Sequence, residues 1–440
     1  MSRPCSTDRL AVLQITLLIL LAFVTVRVHE LYVFNRSGID FYHFWGVSAA
    51  NKLAEQSLGD PYLNAEHYAD VLNSYANTTI GDSRLMAANQ TRRNIDLTAT
   101  PLLYLLFALF PLDYTLGLTL HRIACLLAFM TAVAVFWRLY EMEGIPYALG
   151  LMVFLLALIP LFVDLEVGNI NCLLVLGLAI ALGLGRRLQA QTTRRFPLGS
   201  VLLNFLVFLT MVKPVVALPC ALLAYTVWQD VGTATMLRIV GSAVGTSLLL
   251  ALLPCLYFRS WSVWWNWYMS IQGADARHLF YDVNTGNNSF ALIASDWVPG
   301  GYSTVIVIVG ALLIGLIGTM LAWSGGRIGL RLKAFGPDFM LALGIMFTFA
   351  LSPLSWSHYY LLLLPSSLWL LSLPGWLLPI FGALTLFLSS GVFIWLKNMI
   401  EIVKQLEPLL HSLSWVPLLF GILVIVRRGK EGPGRGDLGY

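Results

Sequence analysis

The sequence predicts an all-α, polytopic membrane bundle, and three observations carry that prediction. The 440 residues are 58% hydrophobic and only 11% charged, whereas soluble domains carry about 25% charged residues. The mean hydropathy is +0.76. Apolar runs of about 20 residues recur along most of the chain, each long enough to cross about 30 Å of hydrocarbon. Backbone polar groups have no water to bond within lipid, so such runs must be helices. The alternating segments of about ten residues that a β-barrel needs are missing. This composition excludes a string of soluble domains, intrinsic disorder, a secreted disulfide scaffold and a soluble nucleic-acid binder. The five cysteines, mostly inside apolar runs, have no metal-ligand spacing and read as small core residues.

The first span covers 10–34. Arg3 and Arg9 precede it, Arg27, His29 and Glu30 fall near its end, and no small-residue cleavage pattern follows. It reads as a retained span with a cytoplasmic N-terminus, not a signal peptide. A long connection, 35–99, comes next. Within it, 41–53 and 64–75 mix apolar and polar faces, as helices lying on the membrane surface do. The segment 100–111 is apolar but short and bracketed by Pro101 and Pro111. It reads as a half-helix dipping in from the outer face.

Further spans follow at 115–138, 147–165, 170–186, 197–213, 215–229, 235–258, 303–323, 338–353, 357–373, 375–396 and 413–427, giving about twelve in all. Starting from a cytoplasmic N-terminus, alternate connections carry Arg138, Arg186 with Arg187, Arg194 and Arg195, Arg238, Arg327 with Arg331 and Lys333, and Arg427 with Arg428 and Lys430. Positive charge marks the cytoplasmic side. The large connections 35–99 and 259–302 then face outward, and both termini are cytoplasmic in a cell membrane. Residues 1–428 form one transmembrane domain, and the glycine-rich 429–440 reads as a disordered tail. The second outer connection holds Trp261, Trp264, Trp265, Trp267 and Tyr268. That cluster is either an interfacial aromatic belt or a wall that grips sugar or lipid.

Ionisable groups near membrane depth are costly, and their placement points to function. Here they gather at the outer ends of the spans. Asp40 lies in Gly38-Ile39-Asp40-Phe41-Tyr42-His43, and Asp164 and Glu166 precede Gly168-Asn169-Ile170-Asn171. Lys213-Pro214 separates two spans, Arg277, His278, Asn287 and Asn288 lie in the second outer connection, and Trp356-Ser357-His358 joins two later spans. Each has an ordinary alternative. Asp40 also suits a helix N-cap, Lys213 a snorkelling lysine, and His358 a packing histidine. Asp164 and Glu166 also suit structural carboxylates, and Arg92 and Arg93 solvated loop charges. The convergence on one membrane side favours a site. No GxGxxG, Walker A, HExxH or GxSxG motif occurs, so no nucleotide cradle, zincin set or serine esterase elbow is indicated.

In this order and on this membrane side, the stretches resemble the C-type (GT-C) membrane glycosyltransferases, and within them glycosyltransferase family 87. Gly38-Ile39-Asp40-Phe41-Tyr42-His43-Phe44-Trp45 with Gly59-Asp60-Pro61-Tyr62 is similar to the family's Asp-aromatic start and Gly-x-Pro-Tyr. Thr100-Pro101 is similar to its short proline-rich helix, and Lys213-Pro214 and Leu351-Ser352-Pro353-Leu354-Ser355-Trp356-Ser357-His358-Tyr359 to its later signatures. The family often has Gly-Gln where this chain has Gly168-Asn169. The resemblance covers about 30–370. It implies a GT-C fold and transfer of a sugar, mannose above all, from a polyprenyl-phosphate donor to a lipid or glycan acceptor, with inversion. It implies no obligatory metal and no cofactor.

The lipid phosphate is already a leaving group, so the chemistry needs a base for the acceptor hydroxyl and cations for the phosphate. Asp40, the first carboxylate after span one, is the expected base, with Asp164, Glu166, Asp60 and Asp96 as rivals. Lys213 and His358 are the expected phosphate ligands. His43, Asp164, Glu166, Asn169, Arg277, His278, Asn288 and Trp356 are the expected further substrate contacts. The partners are the donor, the acceptor and membrane lipids, with no nucleic acid. A lipid-carrier flippase is the competing class. It would want polar residues through the bundle centre and paired repeats.

Overall fold

A computed structural model describes residues 36–79, 81–92, 98–141, 159–191, 195–272, 287–299, 301–323, 335–353, 355–390 and 401–428. The span at 10–34, most of that at 147–165, the tail and the basic residues Arg327, Arg331 and Lys333 lie outside the described residues. Among those described, every regular element is a helix, apart from a lone antiparallel bridge between Asn287 and Trp356. The described part of the chain is therefore helical, and its long apolar helices are those of a membrane protein.

Six helices are long and apolar enough to cross a bilayer: Tyr114–Leu139, Asn171–Ala190, Pro214–Val231, Thr233–Tyr257, Gly301–Thr319 and Pro408–Arg427. Shorter apolar helices run over Phe196–Val212, Pro337–Leu351 and Leu377–Ser389. Each coincides with an apolar run in the sequence. The Thr233–Tyr257 helix exposes Leu237, Val244, Leu248, Leu249 and Leu256, and the next long helix exposes Val307, Leu312 and Ile314. Apolar stripes of this extent need hydrocarbon as their solvent. Inside the bundle, small residues allow close approach. A Cβ at Gly344 would lie 2.5 Å from the Pro219 backbone, and one at Gly382 would lie 2.7 Å from the Ser367 carbonyl.

Two elements depart from expectation. Ile39–Leu53 is a helix whose residues Phe41 to Ala50 are all buried, not a helix lying on a surface. It packs against Ala65–Thr78, Ser83–Thr91, Pro101–Phe107 and Ile159–Val167. Its polar groups find partners inside the protein: Tyr42 donates to Asn89 Oδ1 at 2.8 Å, and Ser48 donates to the Tyr104 carbonyl. The run 357–373 is broken. Ser357–Leu363 is a 3-10 helix, and an α-helix begins only at Leu364. Pro365 supplies the reason, because proline has no N–H to donate and fits only a first helical turn.

The Pro101–Phe107 half-helix starts at Thr100, whose hydroxyl accepts from the Leu103 N–H. The two large connections meet at the same end of the bundle. Asp60 Oδ2 accepts from Ser260 Oγ at 2.7 Å and Asn266 Nδ2 at 2.9 Å, and Trp267 donates to the Thr98 carbonyl at 3.2 Å. The tryptophan cluster splits by face. Trp261, Trp265 and Tyr268 are exposed, while Trp264 and Trp267 turn inward and pack edge to face at 5.9 Å.

Candidate functional site

Four separate helix boundaries bring polar side chains together. Gly38, at φ 69°, turns the chain into the Ile39–Leu53 helix and sets Asp40 in its first turn. The Ile159–Val167 helix ends at Gly168, at φ 72°, where a Cβ would lie 2.6 Å from Phe41 Cβ. Only glycine suits both the left-handed backbone and that contact. The next residue, Asn169, is thereby aimed at Asp40. Pro214 stops the helix before it and leaves Lys213 extended at the break. His358 enters from the 3-10 helix, which stays tight because Pro365 delays the α-helix.

The resulting cluster is a relay. Lys213 Nζ donates to Asn169 Oδ1 at 2.5 Å and to Asn171 Oδ1 at 3.0 Å. Asn169 Nδ2 donates to Asp40 Oδ2 at 2.7 Å and lies 3.2 Å from His358 Nε2. Asn171 Nδ2 donates to Asp164 Oδ1 at 2.8 Å. The lysine thus reaches two carboxylates through two asparagine amides. His358 Nε2 stands 3.9 Å from Asp40 Oδ2, and Arg92 stands 3.8 Å from Asp40 Oδ1. The Lys213 ammonium lies 4.5 Å from the centre of the Tyr359 ring, a cation–π distance.

Burial sets the proton affinities. It raises the Asp40 carboxyl above its ordinary value, opposed first by the Asn169 hydrogen bond and then by Arg92 and Lys213. Burial pushes the Lys213 ammonium down to about 8, against the pull of Asp164 and Asp40. His358 falls well below its ordinary value through burial and the Lys213 charge, so its ring is neutral. The Asp40 side chain is 19% exposed, which leaves the carboxylate reachable. A partly open carboxylate beside a buried cation and a neutral imidazole has the parts to accept a proton and to hold an anion.

The expected residues divide. Asp40, Asn169, Lys213 and His358 converge. Asp164 is fully buried, and its oxygens receive Asn171 Nδ2 and the backbone N–H groups of Asn171 and Cys172. It anchors the start of the Asn171–Ala190 helix. Glu166 turns to Arg36 at 3.1 Å. His43 lies one turn beyond Asp40, its Nε2 2.7 Å from the Tyr104 hydroxyl. Asn288 bonds through its backbone, donating to the Ser355 carbonyl and accepting from the Tyr360 hydroxyl. Together with the Asn287–Trp356 bridge, it ties down the segment that carries His358. Arg277 and His278 lie outside the described residues, as do Arg93 and Asp96.

Some members had no site role expected from sequence. Arg92 read as a solvated loop charge but lies at the Asp40 carboxylate, and Asn171 and Tyr359, quoted only as neighbours of Asn169 and His358, also belong to the cluster. Arg122 is buried inside a long apolar helix, 2% exposed. It donates to the carbonyls of Leu165, Glu166 and Arg36, holding the helix end that precedes Gly168. A cation there also suits the negative pole of that helix. Among the described residues, no three His, Cys, Asp or Glu side chains converge as a metal-ligand set. Searched against protein-family models, curated proteins and solved structures, the chain matches none.

Proposed function

We propose that the protein is a membrane glycosyltransferase of the GT-C type, resembling family 87. It transfers a hexose, mannose above all, from a polyprenyl-phosphate donor to a lipid or glycan acceptor at the outer face of a cell membrane. In this reading the bundle has about twelve spans, and 35–99 and 259–302 lie outside. One observation carries the proposal. Asp40, Lys213 and His358 come from three distant parts of the sequence and meet around Asn169 at one end of an apolar bundle.

The donor is a phosphodiester with one negative charge. In the transfer, the acceptor oxygen forms a bond to the anomeric carbon as the bond from that carbon to the phosphate oxygen breaks. The electron pair leaves with the phosphate, which becomes a dianionic monoester. The hydroxyl proton goes to Asp40. Attack from the face opposite the departing phosphate gives inversion. The Lys213 ammonium stabilises the second phosphate charge as it develops, where a fixed cation in a water-poor site acts most strongly. His358 contributes a hydrogen-bond donor without adding charge. A flippase reading finds less support, because the cluster sits at one end of the bundle and is not spread along its axis.

The test is whether the purified protein in lipid nanodiscs releases polyprenyl phosphate from polyprenyl-phosphate mannose when acceptor glycolipid is added. Release that depends on the protein supports the reading. Donor movement between leaflets without release supports the flippase.

A further inference from the structure

The Asn169 side chain is oriented by its surroundings. Its Oδ1 receives Lys213 Nζ at 2.5 Å, the Ile170 backbone N–H at 2.7 Å and Asn171 Nδ2 at 3.4 Å. Three donors on one atom require that atom to be the oxygen. The nitrogen therefore faces the other way and donates to Asp40 Oδ2. Because Nδ2 has only protons to offer, His358 Nε2 at 3.2 Å must accept. The neutral His358 ring then carries its proton on Nδ1.

The Asn169 backbone is held equally firmly. Its N–H donates to the Asp164 carbonyl at 3.0 Å. Its own carbonyl lies 3.0 Å from His121 Nε2 and accepts from the Cys125 thiol at 3.4 Å. The residue is 4% exposed. A side chain fixed at both ends and aimed at the reacting groups is preorganised.

We propose that Asn169 is the positioning residue of this site: its amide links the Lys213 ammonium to the Asp40 carboxylate, orients that carboxylate, and fixes His358 in the tautomer whose Nδ1–H binds the donor phosphate. The role rests on the glycosyltransferase reading. Among the described residues, Asn169 is the one side chain that hydrogen-bonds the Asp40 carboxylate. The other groups facing Asp40 act at longer range. Arg92 and His358 stand at 3.8 and 3.9 Å. Lys213 acts through its field, and His43, one turn along, is bound to Tyr104. The Asn169 hydrogen bond is the largest influence lowering the Asp40 carboxyl, ahead of Arg92 and Lys213. A glutamine here keeps the amide but adds a methylene, whereas an aspartate keeps the shape and sets a second carboxylate against the first.

The experiment uses the full chain in nanodiscs with Asn169→Ala, Asn169→Asp and Asn169→Gln. Isotope-edited infrared spectra of [4-13C]aspartate protein, with Asp40→Asn as the subtraction, follow Asp40 protonation without any turnover. Polyprenyl phosphate release against pH follows the reaction. Asn169→Ala is expected to move the Asp40 infrared midpoint and the acidic limb of kcat/KM together to higher pH. On that limb the loss is about tenfold or more. Asn169→Asp moves both further, and Asn169→Gln restores part of the loss. If Asn169→Ala does not fold, the isosteric Asn169→Asp carries the test alone. An active wild type with an unmoved midpoint and limb in the variants overturns the positioning role and leaves the reaction standing. A moved midpoint with no release by the wild type overturns the reaction and leaves the amide link standing.

Discussion

Replacing Lys213 with methionine removes the charge at the centre of the relay while keeping an unbranched stem beside Tyr359. Two charge-assisted hydrogen bonds are lost, at 2.5 Å to Asn169 and 3.0 Å to Asn171. Each contributes about 1.5–3 kcal/mol, but they share one ammonium and are not additive. The fold should lose about 2–4 kcal/mol, with both asparagine carbonyls left short of a donor. The carboxylates then lose their shared cation, so Asp40 protonates at higher pH. In the reaction, the phosphate loses its fixed cation, and turnover should fall by about 1–3 kcal/mol of transition-state stabilisation, about 5-fold to 150-fold. Thermal unfolding in nanodiscs reads the first effect, and polyprenyl phosphate release at saturating donor reads the second. Lys213→Met with unchanged unfolding temperature, turnover and acidic limb would refute the relay. Lost stability with normal turnover would leave Lys213 a purely structural residue.

Other expectations follow from the same geometry. The pH profile of kcat/KM should be a bell. Activity falls as pH drops through the raised Asp40 value, because the base becomes protonated, and falls again as pH rises through about 8, because Lys213 loses its charge. A rate that keeps climbing to pH 10 would be inconsistent with a required Lys213 ammonium. Gly168→Ala combines a left-handed backbone with a Cβ 2.6 Å from Phe41 Cβ and should cost about 2–4 kcal/mol. A wild-type unfolding temperature in that variant would show that the turn is not under this constraint. Leu63→Cys and Trp261→Cys should react with a membrane-impermeant thiol reagent in intact cells, and Arg187→Cys only after lysis. The opposite pattern would invert the topology.

Much of the bundle was legible because apolar runs report transmembrane helices directly. The Tyr114–Leu139, Thr233–Tyr257 and Gly301–Thr319 helices coincide with runs that hydropathy alone delimits. Asp40, Lys213 and His358 stood out because charge near membrane depth is costly. The bonds among them were not legible, because they pass through the amides of Asn169 and Asn171, which carry no charge. The Ile39–Leu53 helix looked like a surface helix because it contains Tyr42, His43 and Ser48. Those groups instead meet Asn89 and Tyr104, partners at least 47 positions away that periodicity cannot supply. Arg122 was hidden in an apolar run, since its carbonyl partners exist only once the Ile159–Val167 helix packs against it. The 3-10 stretch Ser357–Leu363 has the composition of an ordinary span, and Pro365 was the one local signal that the helix starts late.

In the proposed reaction Asp40 takes the proton of the acceptor hydroxyl. The most direct measurement is sugar transfer from a polyprenyl-phosphate hexose by Asp40→Asn beside Asp164→Asn and Glu166→Gln, with expression matched and donor binding measured in parallel. Asparagine keeps the shape of Asp40 but cannot accept the proton. Asp40→Asn should therefore fold, bind donor and lose about 10²–10⁴-fold in turnover. Asp164→Asn should chiefly weaken the fold, because Asp164 anchors the Asn171–Ala190 helix, and Glu166→Gln should transfer sugar almost normally. Near-normal transfer by Asp40→Asn, or a loss confined to Asp164→Asn at unchanged stability, would contradict the assignment.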